Sequence, residues 1–143
     1  MSLATAALAL VVDAALGAWL GVLAFFSFVG APRAFAVYGD DAGAYVNDVF
    51  PRYYRVGVGL GVAAVVAGVG RGALAGVDPG TLIAVAGAAV ATGLAAYSLG
   101  VLVPKMDAAG DEAFERYHGR SVALNAATML AVAVALVGAH LPA

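Results

Sequence analysis

Four long apolar runs, set apart by three short polar stretches, make up almost the whole chain. The runs cover about residues 4–30, 54–72, 81–103 and 117–140. Each is close to the ~20 predominantly apolar residues that carry an α-helix across a hydrocarbon core about 30 Å thick. None alternates with period two, and all are too long for strands. The pattern predicts one all-α domain over residues 1–143, an integral membrane four-helix bundle. The first run opens Met1-Ser2-Leu3-Ala4-Thr5, without the Lys or Arg of a signal-peptide n-region, and so reads as a retained helix.

Every Asp, Glu, Lys and Arg except Asp13 falls in the three polar stretches. Arg33, Arg52 and Arg55 lie in the first, and Lys105, Arg116 and Arg120 lie in or beside the third. The second has only Arg71. With four crossings the first and third connections share a side, so the basic residues divide six against one. The positive-inside rule then places those connections in the cytoplasm and both termini outside, as in a multi-pass protein of the cell membrane.

The two halves carry similar words. Phe50-Pro51-Arg52-Tyr53-Tyr54 opens the second helix and Phe114-Glu115-Arg116-Tyr117-His118 the fourth; Pro32-Arg33 and Pro104-Lys105 close the helices before them. Two helical hairpins of equal polarity would form a parallel pseudo-repeat about an axis along the membrane normal. The competing explanation is that Pro, Arg and Tyr are all common at membrane interfaces. The prolines are expected to end the first and third helices. Asp40 or Asp41 could cap a short surface helix through Tyr45, Val46, Val49 and Phe50, and Asp111 could cap the fourth helix, extending it back to Glu112. Asp78-Pro79-Gly80 reads as a turn and nothing more.

Glycines recur four apart at Gly17 and Gly21, Gly57 and Gly61, and Gly68 and Gly72. In lipid, small residues let helix backbones approach and gain dispersion contacts. Packing within the chain is the expected use, and a dimer seam is the alternative.

Composition agrees and closes off other classes. The chain is 64% hydrophobic and 11% charged, against roughly 45–50% and roughly 25% in ordinary globular domains. A formal charge of −2 argues against nucleic-acid binding. Without cysteine there are no disulfides, thiolate zinc sites, iron–sulfur clusters or C-x-x-C-H haem attachments.

Polar groups in an apolar span are costly, so they are the natural candidates for chemistry. His118, Ser121 and Asn125 follow i, i+3, i+7 spacing on one face of the fourth helix, running about 10 Å inward from the cytoplasmic interface. That face could take a headgroup, an anion or a metal, with His118 as the titrating group. Read structurally, the same groups would tie helices together, at roughly 0.6 kcal/mol per contact. Asp13 is the one acid inside a span, about 12–15 Å from its outer end. No basic partner for it is expected in any span, so it should be protonated or reach water. Trp19, further along, is expected to pack. Tyr53, Tyr54 and Tyr117 fit an interfacial aromatic belt, and with Arg52 and Arg116 could meet lipid headgroups.

P-loop, dinucleotide, H-E-x-x-H and nucleophile-elbow patterns are all missing. His118 and His140 stand 22 residues apart on one helix, about 33 Å, too far to share a haem iron. A His–Met site with Met106 or Met129 is the weaker haem option.

Gly17-x-Trp19, Phe25-Phe26-x-Phe28, Ala31-Pro32 and Phe50-Pro51-x-Tyr53-Tyr54 follow one another through the first hairpin. Val103-Pro104-Lys105 and Phe114-x-x-x-His118-x-x-Ser121-x-x-x-Asn125 continue in the second. This order resembles the transmembrane protein 205-like family, a domain of unknown function. The resemblance implies a four-helix integral membrane protein, distantly similar to copper-resistance membrane domains and small membrane protoporphyrinogen oxidases. Those relatives use membrane-embedded histidines, which this chain lacks apart from His118.

The expected function is therefore non-enzymatic, with no resident cofactor: an accessory subunit, small-molecule binder or transport component with a cytoplasm-facing polar site. The bilayer and a homo-oligomer or larger membrane complex are the expected partners. The alternative is a copper- or haem-handling redox protein that recruits a second ligand from another chain.

Overall fold

The computed structural model describes residues 1–110 and 114–142, with side chains at all of these except positions 114 and 115. They are helical almost throughout, with no strand among the described residues. Helix α1 (Leu3–Phe25) runs through a π-helical turn, Phe26–Gly30, into α2 (Ala31–Tyr38). A 3-10 turn, Gly39–Asp41, leads to α3 (Ala42–Ala75). Then α4 (Pro79–Tyr97) passes through a second π turn, Ser98–Leu102, into α5 (Val103–Ala109), and α6 (Phe114–Ala139) completes the order.

Three helical stretches are long and apolar enough to cross a membrane: Leu3–Ala75, Pro79–Ala109 and Arg116–Ala139. The first doubles back on itself at Gly39, whose φ of +54° suits glycine. Phe26 then meets Phe50 at 5.9 Å between ring centroids, while Val12 lies beside Gly68. α1 packs on α3, α3 on α4, α4 on α6 and α6 on α1.

Small residues govern these contacts. The Trp19 indole, 2% exposed, lies across the flat strip left by Gly57 and Gly61. Packing was the expected role of Trp19, and this is it. Ala84, Ala88, Ala91 and Ala95 form the buried face of α4. There the backbones close in: a Cβ on Gly138 would come within 2.8 Å of the Ala84 nitrogen, and one on Gly80 within 2.7 Å of the Gly138 oxygen. Gly68 and Gly72 likewise face Val85 and Val77. Gly17 and Gly21 depart from the expectation of internal packing: nothing approaches the place a Cβ would take at either.

Several local expectations are corrected. Pro32 and Pro104 do not end their helices. Each stands six residues after the start of a π turn, and the chain stays helical to Tyr38 and Ala109. A proline removes one N–H and its ring crowds the carbonyl four residues back. The π turn absorbs this with one wider loop, closed by Ala31 N–H to the Phe26 carbonyl and Val103 N–H to that of Ser98. The surface helix expected at 45–50 is instead the first part of α3, continuous through Pro51, with Val46 and Phe50 buried and no capping bond from Asp41. Arg52 braces the proline turn, donating to the Asp48 carbonyl at 2.6 Å and pairing with its carboxylate at 2.7 Å.

Asp78 is more than a turn residue, for it caps α4. Its Oδ1 accepts the Thr81 N–H at 2.8 Å and its Oδ2 accepts the Thr81 hydroxyl at 3.0 Å. These bonds, the backbone one first, hold the Asp78 carboxyl below the usual carboxylate range, helped by Arg71. The Asp111 cap and the extension to Glu112 fall outside the described residues.

Candidate functional site

One end of the structure gathers Ser27, Tyr53, Tyr54, Ser98, Ser121 and Asn125. Tyr53 and Tyr54 sit side by side on α3, with Phe50 one turn before them. Their rings form a cluster with Phe26 of the first π turn: 4.8 Å between Phe26 and Tyr53, 5.1 Å between the tyrosines, and 5.6 Å between Phe50 and Tyr54. Offset and tilted pairs at such distances are favourable geometries for aromatic rings. The tyrosines, expected in an interfacial belt, are 9% and 5% exposed and point inward.

Their hydroxyls find partners on other elements. Tyr53 donates to Asn125 Oδ1 at 2.5 Å, and Asn125 Nδ2 donates to Ser27 Oγ at 2.7 Å. This chain ties α3 to α6 and α6 to the π turn. The Tyr54 and Ser121 hydroxyls lie 3.5 Å apart, and Ser98, first residue of the second π turn, is beside the same phenol. No buried polar side-chain atom among the described residues lacks a partner.

These groups wall a cavity of about 250 Å³. Phe26, Phe50, Tyr53 and Tyr54 form its inner side and Pro32 and Phe35 of α2 its outer side, while α6 contributes His118, Ser121 and Asn125. Small-molecule sites commonly combine such mostly apolar walls with a few convergent polar groups. His118 is exposed and edge-on to Phe35, 6.2 Å between centroids. A second cavity, about 510 Å³, continues along α6. It shares Ser27, Val122 and Asn125 with the first and is otherwise lined by apolar residues such as Phe28, Met129 and Leu130.

The structure thus brings together His118, Ser121 and Asn125, as their spacing on one helix face suggested, and adds Ser27, Phe26, Tyr53 and Tyr54. Serine in an apolar helix was the available signal for Ser27; its distance of 98 positions from Asn125 hid the pairing. Arg116 and Arg120 lie over the Tyr117 ring at 6.0 and 5.7 Å. Arg52 points to solvent beside Asp48, away from the cavity.

Asp13 belongs elsewhere. The expectation that it has no basic partner is corrected: His140 Nε2 stands 3.7 Å from its Oδ2, an ion pair when the imidazole is protonated. His140 follows the last turn of α6, and its Nδ1 is 2.9 Å from the Leu136 carbonyl, which turns the ring back along the helix toward α1. His118 and His140 lie at opposite ends of α6. No group of three or more metal-ligating His, Asp or Glu side chains occurs among the described residues.

Comparison with known proteins places the chain among relatives. It is 35% identical over 121 residues to an uncharacterized protein of Aquifex aeolicus (strain VF5), covering 82% of this chain and 85% of that one. No solved structure matches. The profile of a domain of unknown function, DUF4149, matches residues 14–115, from α1 to the start of α6, and so includes both π turns and the tyrosine pair. The chain belongs to the DUF4149 family.

Proposed function

We propose that this protein is a multi-pass protein of the cell membrane that binds a small molecule in the cavity between α2, α3 and α6, without catalysing a reaction on it. The observation that carries the reading is the cavity itself. Ring side chains from four elements surround it, and a hydrogen-bonded chain of Tyr53, Asn125 and Ser27 converges on it.

The membrane arrangement goes with this reading. Doubling back at Gly39 gives the 73-residue stretch Leu3–Ala75 two crossings and makes four in all, a four-helix bundle. Six of the seven basic residues then flank the two connections at the cavity end, which supports a cytoplasmic position for that end with both termini outside. The matching π turns, each six residues before its proline, support the pseudo-repeat of two hairpins. Several of the residues that carry the resemblance to the transmembrane protein 205-like family, His118, Ser121 and Asn125 among them, line the cavity. Release of a bound molecule to a partner would suit an accessory subunit; release across the bilayer would suit a transport component.

The test is binding by the purified protein in nanodiscs, with the Asn125→Leu and Tyr53→Phe variants alongside. Co-purification of a small molecule with the native chain and its loss from both folded variants is the expected result. An equal yield from all three would overturn the reading. A Soret band or stoichiometric metal lost on His118→Ala would instead favour the copper- or haem-handling alternative.

A further inference from the structure

The two cavities share Ser27, Val122 and Asn125, and their linings differ in kind. The inner one ends in a directed chain of donors: the Tyr53 hydroxyl gives its hydrogen to Asn125 and the Asn125 amide gives one to Ser27. The Ser27 oxygen, having accepted, retains its own hydrogen. A chain with this polarity ends on a donor, so its complement is a hydrogen-bond acceptor. The rings of Phe26 and Tyr53, 4.8 Å apart, and of Phe50 beside them offer flat apolar faces. Among the described residues, no Asp, Glu, Lys or Arg lines either cavity. A formally charged head would therefore lose its hydration with no counter-charge of fixed sign to meet it.

The outer cavity begins at Ser27 and Asn125, where the donor chain ends, and runs along α6 past Ala126, Met129 and Ala133. From Asn125 to Ala133 the helix rises about 12 Å, close to the length of a ten-carbon chain. A polar end and an apolar groove joined at one pair of residues fit an amphiphile with one tail.

Resting on the binding role proposed above, we infer that the ligand is a single-tailed lipid of the quinone type. Its flat, uncharged ring bears an acceptor carbonyl beside Ser27 and Asn125, and its alkyl tail lies in the groove along α6. It enters sideways from the bilayer, since the groove lies on the apolar face of that helix.

The test uses the whole protein in nanodiscs, with binding taken as the excess over protein-free nanodiscs. The probes are 2,3-dimethoxy-5-methyl-1,4-benzoquinone, its 6-decyl derivative, decylbenzene, and a ten-carbon lysophosphatidylcholine. The decyl quinone should bind at least about tenfold more tightly than the other three. Ala133→Trp, which fills the groove and leaves the inner cavity intact, should reduce the decyl quinone to the affinity of the tailless ring. Asn125→Leu should weaken both quinones. Equal binding of tailless and decyl quinones overturns the tail assignment, and equal binding of the decyl quinone and the lysolipid overturns the ring head. Should Ala133→Trp misfold, the tail comparison on the native chain decides alone. Failure of the underlying site looks different: no probe binds, or Asn125→Leu changes none of them.

Discussion

A Cβ placed on Gly57 would lie 2.7 Å from Nε1 of Trp19, a ring with almost no exposed surface and no room to retreat. Gly57→Ala should therefore cost about 1–3 kcal/mol, the usual range for overpacking. Gly17→Ala, with nothing within 4 Å of the new methyl, should be neutral or slightly stabilising. Chemical denaturation of both variants in detergent would check the contrast, and equal losses would show that the indole is not seated as described. The spacing of four at each pair was visible in the sequence, but it is the same for a glycine facing Trp19 and one facing outward. Only the rotation of each helix about its axis separates them. Asp78 gives a second residue-scale test. Its carboxyl is held below its ordinary value by the Thr81 bonds, so ionised Asp78 stabilises the fold above the unfolded carboxylate range. That contribution disappears as the pH falls through the lowered folded value. Asp78→Asn should thus be less stable than the native chain at neutral pH and approach it in acid, as thermal unfolding at each pH would show.

At the scale of elements, the two π turns set the geometry of the site. Ser27 and Ser98 both belong to them, and an α-helix in their place would turn each serine relative to Asn125 and Tyr54. Deleting Val29 removes the extra residue from the first turn and rotates α2 by about 100° relative to α1. Phe35 should then leave His118, and a Phe35→Cys probe should change its labelling rate in the deletion background. With no native cysteine the background is clean; an unchanged rate would mean that the π turn does not position α2. Proline positions were legible in the sequence, and their usual meaning as helix ends was reasonable from the lost N–H. What they do here depends on neighbouring carbonyls that the wider turn can accommodate, which no residue pattern displays. The apolar stripe of Tyr45, Val46, Val49 and Phe50 was legible too. Val46 and Phe50 of that stripe are buried in the molecule while Tyr45 stays exposed, because α3 runs straight through Pro51.

On the scale of the whole molecule, the proposed topology makes a two-sided prediction. An Arg52→Cys variant should react with a membrane-impermeant maleimide only from the cytoplasmic side, and Val77→Cys, in the exposed turn between α3 and α4, only from outside. Reaction of both from the same side would leave the chain without the proposed crossings between them. The polar chain at the cavity also acts across the molecule, linking α3, α6 and the first π turn. Tyr53→Phe should lower stability by only about 0.6 kcal/mol, the average for hydrogen bonds between membrane helices. A much larger loss on thermal unfolding would make the network a structural clamp first.

The sequence by itself determined that this protein is helical, with stretches long and apolar enough to cross a membrane. Long apolar runs with their charges confined between them leave helices as the arrangement that satisfies every backbone group in an apolar medium. It also picked out His118, Ser121 and Asn125, because positions three and four apart on a helix share a face whatever surrounds them. The tertiary structure decided what that face meets. Ser27, Tyr53 and Tyr54 come from helices far away in the chain, and their approach depends on glycine contacts, helix rotation and two π turns. The cavity and the pairing of Asp13 with His140 arise from packing between helices. Spacing along one helix carries no record of its neighbours.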